Sequence, residues 1–383
     1  MPKTIEPFQI STSDEALADL KRRLQHTRWP ERETVDDWTQ GMPLGYTQEI
    51  CEYWANEYDW RATEARLNAL PHFRTEIDGL GIHFLHVRSK DPSALPLIMT
   101  HGWPGSFIEF LKVIGPLTDP AAHGLGDDGP AFHIVCPSLP GYGYSEKPSK
   151  TGWNADRIAD AWSTLMQRLG YQRYFAQGGD WGAIVTTSIG ARDKEHCLGI
   201  HLNMPVVMPD PDTMNDLTAD EQDALDGYQY YQQWDSSYAT LQSTRPQTVA
   251  YGLADSPAAQ LAWIVEKFHS WTDCDGHPEN ALSRDELLDN VMLYWLTETA
   301  ASSARLYWES FAKINSDPVQ VPVGCSIFPK EIFRSSRRWA EKQFPQLAYW
   351  NRLDKGGHFA AFEQPDMFVQ ELRACFAAMT ANQ

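Results

Sequence analysis

Three short apolar runs, each cut off by a glycine- or proline-bearing loop and each followed by a helical stretch, narrow the architectures open to this chain. Leu97-Ile98-Met99 runs into HGWPGS, Phe132 to Cys136 into PSLPGYGYS, and Tyr174-Phe175-Ala176 into GGDWGA. Continuous apolar runs suit strands covered on both faces, and strands that alternate with helices predict a mostly parallel sheet flanked by helices on both sides. Two further runs, Val321 to Phe328 and Leu347 to Trp350, complete that sheet near the C-terminus.

Ahead of the sheet the chain reads as helical. Thr12 with Glu15 three residues on has the form of a capping box, and Leu17, Leu20 and Leu24 recur at helical spacing until Pro30. A second helical stretch starts near Tyr46, carries Ile50 and Trp54 on one face and ends at Leu70-Pro71. Phe73, Thr75 and Ile77 then alternate, Asp78-Gly79 makes a turn, and Ile82 and Phe84 resume the alternation, which is a hairpin signature. Between the third apolar run and the C-terminal ones lies a helical stretch rich in aromatics, among them Tyr228, Trp234, Tyr251, Trp263, Trp271 and Trp308, as a lid over a hydrophobic site would be. The predicted division is an N-terminal extension (1–75), the first part of an α/β core (76–204), a helical lid (205–315) and the second part of the core (316–383).

With 51 acidic against 32 basic residues the formal net charge is −19, a field that repels phosphate backbones and anionic lipid headgroups, so neither nucleic acid nor a membrane surface is an expected partner. The six cysteines belong to no CxxC pair or zinc-like spacing, which predicts buried free thiols in a reducing compartment and no metal. The first residues, MPKTIEPFQISTSDEA, hold no positive region followed by an apolar stretch, and no 18 apolar residues run together. The expectation is a soluble, cytoplasmic protein.

The chemistry centres on Gly178-Gly179-Asp180-Trp181-Gly182, placed after an apolar strand and before a helix. Small residues two before and two after a nucleophile permit the sharp strand-to-helix turn of the G-x-S-x-G elbow, here with Asp at the apex. As an isolated string GGDWG is equally an ordinary turn with Asp180 as helix N-cap, so the surrounding segments decide. His101-Gly102-Trp103-Pro104-Gly105-Ser106 occupies the place of the loop that supplies one oxyanion-hole N–H in α/β-hydrolases, which assigns the backbone N–H groups of Trp103 and Trp181. Gly356-Gly357-His358-Phe359 places a histidine last in the order nucleophile, acid, histidine. Glu331, after the preceding strand, is its expected carboxylate partner, with Asp354 as the rival on the histidine's own loop.

These strings resemble the α/β-hydrolase-fold epoxide hydrolases of the microsomal type, including their N-terminal extension. The likeness runs from FQISTSDEALADLKRRLQHTRWPE through HGWPGSFIEF, GYGYSEKP, GGDWGA, QSTRPQTVAYGLADSPAAQLAWIVEKF and FPKEIF to GGHFAAFEQP. The resemblance implies Asp180 as nucleophile, His358 as base, Glu331 as its acid partner and two lid tyrosines as proton donors. By local match these are Tyr238 in SSYATLQSTRP and Tyr307 in SSARLYWESF. Compared with the membrane-bound members the chain shows no N-terminal anchor, which favours a soluble branch.

The residue types suit that reaction. A carboxylate needs no base to displace at a saturated carbon, so an Asp in the elbow points to an alkyl ester, leaving His358 free to activate water against it. An alkoxide released by ring opening needs a proton, which tyrosine supplies, whereas a departing halide needs N–H donors. Trp181 is a feature shared with dehalogenases, so a haloalkane or haloacid dehalogenase stays open, as does a non-catalytic ligand receptor on the same fold. His101, Pro104 and Tyr142 are expected to line the substrate pocket, and Tyr144 to serve packing. The lid aromatics imply a bulky apolar substrate, the resemblance implies a small-molecule apolar epoxide, and no cofactor is implied. Two destinations are open for the N-terminal extension, around the lid or at the interface of a homodimer.

Overall fold

In a computed structural model that describes residues 4–126, 128–314 and 318–381, nine strands form one sheet in the order β1-β2-β3-β5-β4-β6-β7-β8-β9. They are β1 (Glu6–Phe8), β2 (His72–Ile77), β3 (Leu80–Val87), β4 (Leu95–Thr100), β5 (Phe132–Pro137), β6 (Tyr174–Gly178), β7 (Cys197–Leu202), β8 (Val323–Ile327) and β9 (Leu347–Arg352). The pairs β1–β2, β2–β3 and β3–β5 are antiparallel, and from β5 to β9 every pair is parallel. This is the α/β-hydrolase fold.

The three apolar runs are β4, β5 and β6 at the centre of the sheet, buried along nearly their whole length. The C-terminal runs are β8, fully buried, and β9, a partly exposed edge strand. The expected hairpin forms with Phe73 opposite Phe84 and Thr75 opposite Ile82, turning at Asp78-Gly79, where both residues have positive φ as a type I′ turn requires. Strand β7 had no apolar-run signal because Gly199 and His201 interrupt it. His201 is nonetheless fully buried, its Nε2 2.9 Å from Ser326 Oγ on β8.

Two expectations for the extension need correction. The helix Asp14–Gln25 is capped by Ser13, whose Oγ accepts the Ala16 N–H, while Thr12 accepts the Trp60 indole N–H at 2.8 Å. The stretch from Tyr46 to Leu70 is two helices, Leu44–Asn56 and Trp60–Asn68, because Asp59 caps the second by accepting the Arg61 N–H.

The extension wraps the lid. Asp289, buried on the lid helix Arg284–Leu296, accepts from Tyr58 Oη (2.6 Å) and Thr63 Oγ1 (2.7 Å) and pairs with Arg66. Trp38 stacks on His269 of the helix Pro257–Trp271, centroids 4.0 Å apart.

The chain leaves the sheet at Leu202, crosses the helices that cover the C-terminal strand ends, and returns at Val323. The expected boundary at 315 and 316 lies outside the described residues. The lid aromatics divide by face: Tyr231, Tyr238, Trp271, Tyr294 and Tyr307 are buried, while Trp234 (69%) and Tyr251 (71%) are exposed. A lid helix has one inward face, so aromatics on its other face point away from the site. No helix among the described residues is long and apolar enough to cross a membrane.

Candidate active site

Asp180 sits between β6 and the helix Trp181–Arg192 with φ 50° and ψ −129°. For a residue with a Cβ this backbone is sparsely populated and costs about 1–3 kcal/mol, tolerated where the surroundings over-determine it. The surroundings here are tight. A Cβ at Gly178 would collide with the Gly182 carbonyl, and one at Gly182 with the Thr100 carbonyl at the end of β4. Both glycines let strand, turn and helix close up and push the Asp180 side chain out of the sheet.

Around that side chain three loops converge. Asp180 Oδ1 accepts the Trp103 backbone N–H at 2.7 Å from the loop after β4. Trp181 opens its helix, so its N–H has no partner within the helix. His358 Nε2 lies 3.5 Å from Asp180 Oδ2, and its Nδ1 lies 2.6 Å from Glu331 Oε1. Glu331 Oε1 also accepts the Ile332 N–H at 2.7 Å, and the His358 N–H donates to the Trp271 carbonyl at 2.8 Å, which fixes the loop. Burial alone would lower the His358 pKa, but Glu331 and Asp180 together hold it well above the usual value. Asp354, the rival partner, is exposed, and Glu331 occupies the position at Nδ1.

Above Asp180 stand the two lid tyrosines. Tyr238, on the helix Ser237–Thr244, lies flat on the Trp103 indole with centroids 4.9 Å apart. Tyr307, on the helix Ala300–Ser310, meets the Trp181 indole edge-on at 4.8 Å and Tyr238 at 5.8 Å. The Tyr307 hydroxyl is buried without a well-formed hydrogen bond. Burial, reinforced by neighbouring tyrosines and Asp180, raises both phenols well above their ordinary range, so both stay protonated donors.

Residues 5–110 match the family model described as the epoxide hydrolase N terminus, and residues 96–285 that of the α/β-hydrolase fold. "Epoxide hydrolase 1" of Sus scrofa is 39% identical over 401 residues, a match covering 97% of this chain and 88% of the pig protein. The chain belongs to the epoxide hydrolase family. A Stigmatella aurantiaca protein provisionally named an epoxide hydrolase is 58% identical, covering 99% of this chain and 86% of that relative. The crystal structure of juvenile hormone epoxide hydrolase from the silkworm Bombyx mori superposes with a TM-score of 0.90 at 32% identity, covering 99% of this chain and 95% of that one.

In this member of the epoxide hydrolases, Asp180, Trp181, Tyr238 and Tyr307 border a cavity of about 210 Å³ that reaches outward between lid and core. None of the three residues expected in the pocket borders this cavity. His101 borders the smaller one behind Asp180, its Nε2 accepting the Leu139 N–H at 3.2 Å, and burial lowers its pKa to about 4. Pro104 and Tyr142 line neither this cavity nor the smaller one behind Asp180. Tyr142 donates to the Ser303 carbonyl at 3.0 Å and so ties the PGYGYS loop to the helix that carries Tyr307. Tyr144 packs against Phe8, His83 and Phe107, as expected of a packing residue.

Two supports were not visible in the sequence reading. Asn290 Nδ2 donates to the Pro104 carbonyl at 2.7 Å and Tyr294 Oη to the Gly105 carbonyl at 2.7 Å, so one lid helix holds the loop that presents the Trp103 N–H. The signal was a polar Asn inside LLDNVMLYWL. Tyr231 Oη lies 3.0 Å from Tyr238 Oη, an approach created by a π-helical turn, Tyr231–Asp235, that sequence periodicity does not announce. Among the described residues no group of three or more His, Cys, Asp or Glu converges as a metal-ligand set.

Proposed function

We propose that the chain hydrolyses a small apolar epoxide to a vicinal diol in two covalent steps, with Asp180 as nucleophile. The observation that carries the reading is the position of the Asp180 carboxylate, at an elbow bordered by His358 and by the Trp103 N–H and facing a cavity roofed by two buried phenols. Met204, Val207, Leu225, Ile332, Phe333 and Trp339 make that cavity apolar, which suits an uncharged substrate.

In the first step an Asp180 oxygen attacks a ring carbon, the carbon–oxygen bond of the epoxide breaks, and Tyr238 and Tyr307 hydrogen-bond the leaving oxygen, one of them giving it a proton. In the second, His358 takes a proton from water, the water oxygen bonds to the Asp180 carboxyl carbon, and the backbone N–H groups of Trp103 and Trp181 hold the oxyanion. Collapse breaks the ester bond, the departing alkoxide takes the proton from His358, and the regenerated Asp180 carboxyl returns its remaining proton to the tyrosinate. Glu331 keeps the imidazole oriented.

Ester formation also changes His358. It removes one of the two anions that raise its pKa, so the imidazole becomes a better-populated neutral base once it is needed. The same reading divides the chain into extension, two-part core and lid. It includes a cytoplasmic location, supported by six cysteines that are all buried and unpaired.

A single turnover in ¹⁸O water with enzyme in excess tests the covalent route. The label is expected in Asp180 and absent from the first diol. Label entering the diol directly overturns it.

A further inference from the structure

Two tyrosines face the leaving oxygen, and their surroundings differ. The Tyr307 hydroxyl is buried without a well-formed hydrogen bond, and its ring sits among Trp103, Trp181 and Phe311. The Tyr238 hydroxyl lies 3.0 Å from that of Tyr231, a third buried phenol that borders the large cavity. Either oxygen of that pair can donate to the other.

Both members of the pair are anchored. Tyr231 opens the π-helical turn Tyr231–Asp235, which joins the helix Ala219–Tyr230 to the helix Ser237–Thr244. Such turns are rare and recur at functional sites. Asp235 ends this one and is pinned to the helix Pro257–Trp271 by two contacts. Lys267 Nζ donates to its Oδ1 at 2.6 Å, and the Trp271 indole N–H donates to its Oδ2 at 2.5 Å. Lys267 is itself buried, pairs also with Glu266 at 2.8 Å, and stands over the Tyr238 ring with Nζ 4.9 Å from the centroid. Stacking on Trp103 fixes the same ring.

We propose that Tyr231 is a positioning residue for ring opening: it donates its O–H to Tyr238, so that Tyr238 and not Tyr307 gives its proton to the leaving oxygen. The inference rests on the reading of Asp180 as nucleophile and of the two lid phenols as donors. Once the epoxide oxygen accepts the Tyr238 O–H, the Tyr231 O–H is left to donate to the Tyr238 oxygen. As the carbon–oxygen bond of the ring breaks, the Tyr238 proton passes to the departing oxygen, and the phenolate charge forms 3.0 Å from a donor already in place. At Tyr307 the group closest to that role is the Trp181 indole, and no well-formed hydrogen bond joins the two. Tyr307 therefore stays a neutral donor to the same oxygen. Tyr231 neither gains nor loses a proton, and the regenerated Asp180 carboxyl returns the proton to Tyr238.

The test measures adduct formation with styrene oxide on the full chain by rapid quench and intact mass, in a His358→Gln background where the adduct accumulates. Tyr231→Phe keeps the ring and removes only the hydroxyl. Its limiting rate is expected to fall about 20-fold while the half-saturating epoxide concentration stays within about twofold. Added to Tyr307→Phe, it should cost the same factor. Added to Tyr238→Phe, it should cost less than about twofold, because the oxygen it serves is gone. Any other pattern in these two backgrounds, equal losses or none in both included, overturns the inference and leaves the covalent route standing. Failure of the underlying reading looks different: His358→Gln alone would form no adduct, or Tyr238→Phe with Tyr307→Phe would form it at full rate.

Discussion

The cavity in front of Asp180 holds about 210 Å³ and is walled by lid tyrosines and aliphatic side chains, whereas the one behind it holds about 20 Å³ and is walled by Glu109, Asn203 and His358 together with Trp103, Phe110 and Phe359. The contrast matches the needs of the two steps. Displacement by a carboxylate runs best where water is excluded and the leaving oxygen meets a donor, while ester hydrolysis needs a single water beside a base. Asp180 is the wall between them and, in the proposed mechanism, takes part in both. Variants on one side should therefore change one step and spare the other.

The largest effect belongs to the shared wall. Asp180→Asn is expected to lower diol formation by on the order of a million-fold and to leave no adduct on the protein by intact mass. Substantial diol formation by this variant would mean that water attacks the epoxide directly.

Next comes the back side. His358→Gln is expected to cut steady-state turnover about 10⁴-fold while one equivalent of substrate still adds to Asp180. A variant that also fails to form adduct in rapid-quench experiments would merge the two cavities into one functional unit.

The front side follows, with an effect of about 10³-fold. Tyr238→Phe with Tyr307→Phe should slow ring opening by that factor and leave hydrolysis of a preformed adduct unchanged. Equal activity of the double variant on epoxides would remove both phenols from the mechanism.

The smallest effects concern pH and pocket size. His358 must be neutral to accept a proton, so kcat should rise with pH through the imidazole pKa of the alkylated enzyme. That pKa lies below the raised value of the free enzyme because the ester has lost the Asp180 charge. NMR titration of His358 should accordingly show a lower pKa in Asp180→Asn than in the parent chain, and an equal or higher one would mean that Asp180 does not contribute. Phe333→Ala, at the apolar end of the front cavity, should raise KM for a bulky aryl epoxide about tenfold and leave adduct hydrolysis untouched.

How much of this was legible beforehand depends on the range of each interaction. The strand-turn-helix around Asp180 was readable because its requirements are local: an apolar run, glycines two before and two after, and a helix. The hairpin at Asp78-Gly79 was readable for the same reason. The cap at Ser13 instead of Thr12 was missed by one residue, since Thr12 is taken by Trp60 from a helix 48 residues on. Strand β7 was missed because its polar His201 finds its partner, Ser326, only across the sheet.

Sequence by itself determined the alternating architecture, the family, the elbow and the pairing of residue types needed for the reaction. These depend on chain-neighbour geometry and on the chemistry of individual side chains. Only the tertiary structure decided that Glu331 and not Asp354 meets His358, that Asn290 and Tyr294 hold the Trp103 loop, and that Tyr142 tethers the lid instead of lining the pocket. It also decided that two separate cavities, one large and apolar and one small, meet at Asp180. The physical reason is distance along the chain: such contacts join segments tens to hundreds of residues apart, and which atoms meet is set by how the lid, the extension and the sheet pack together.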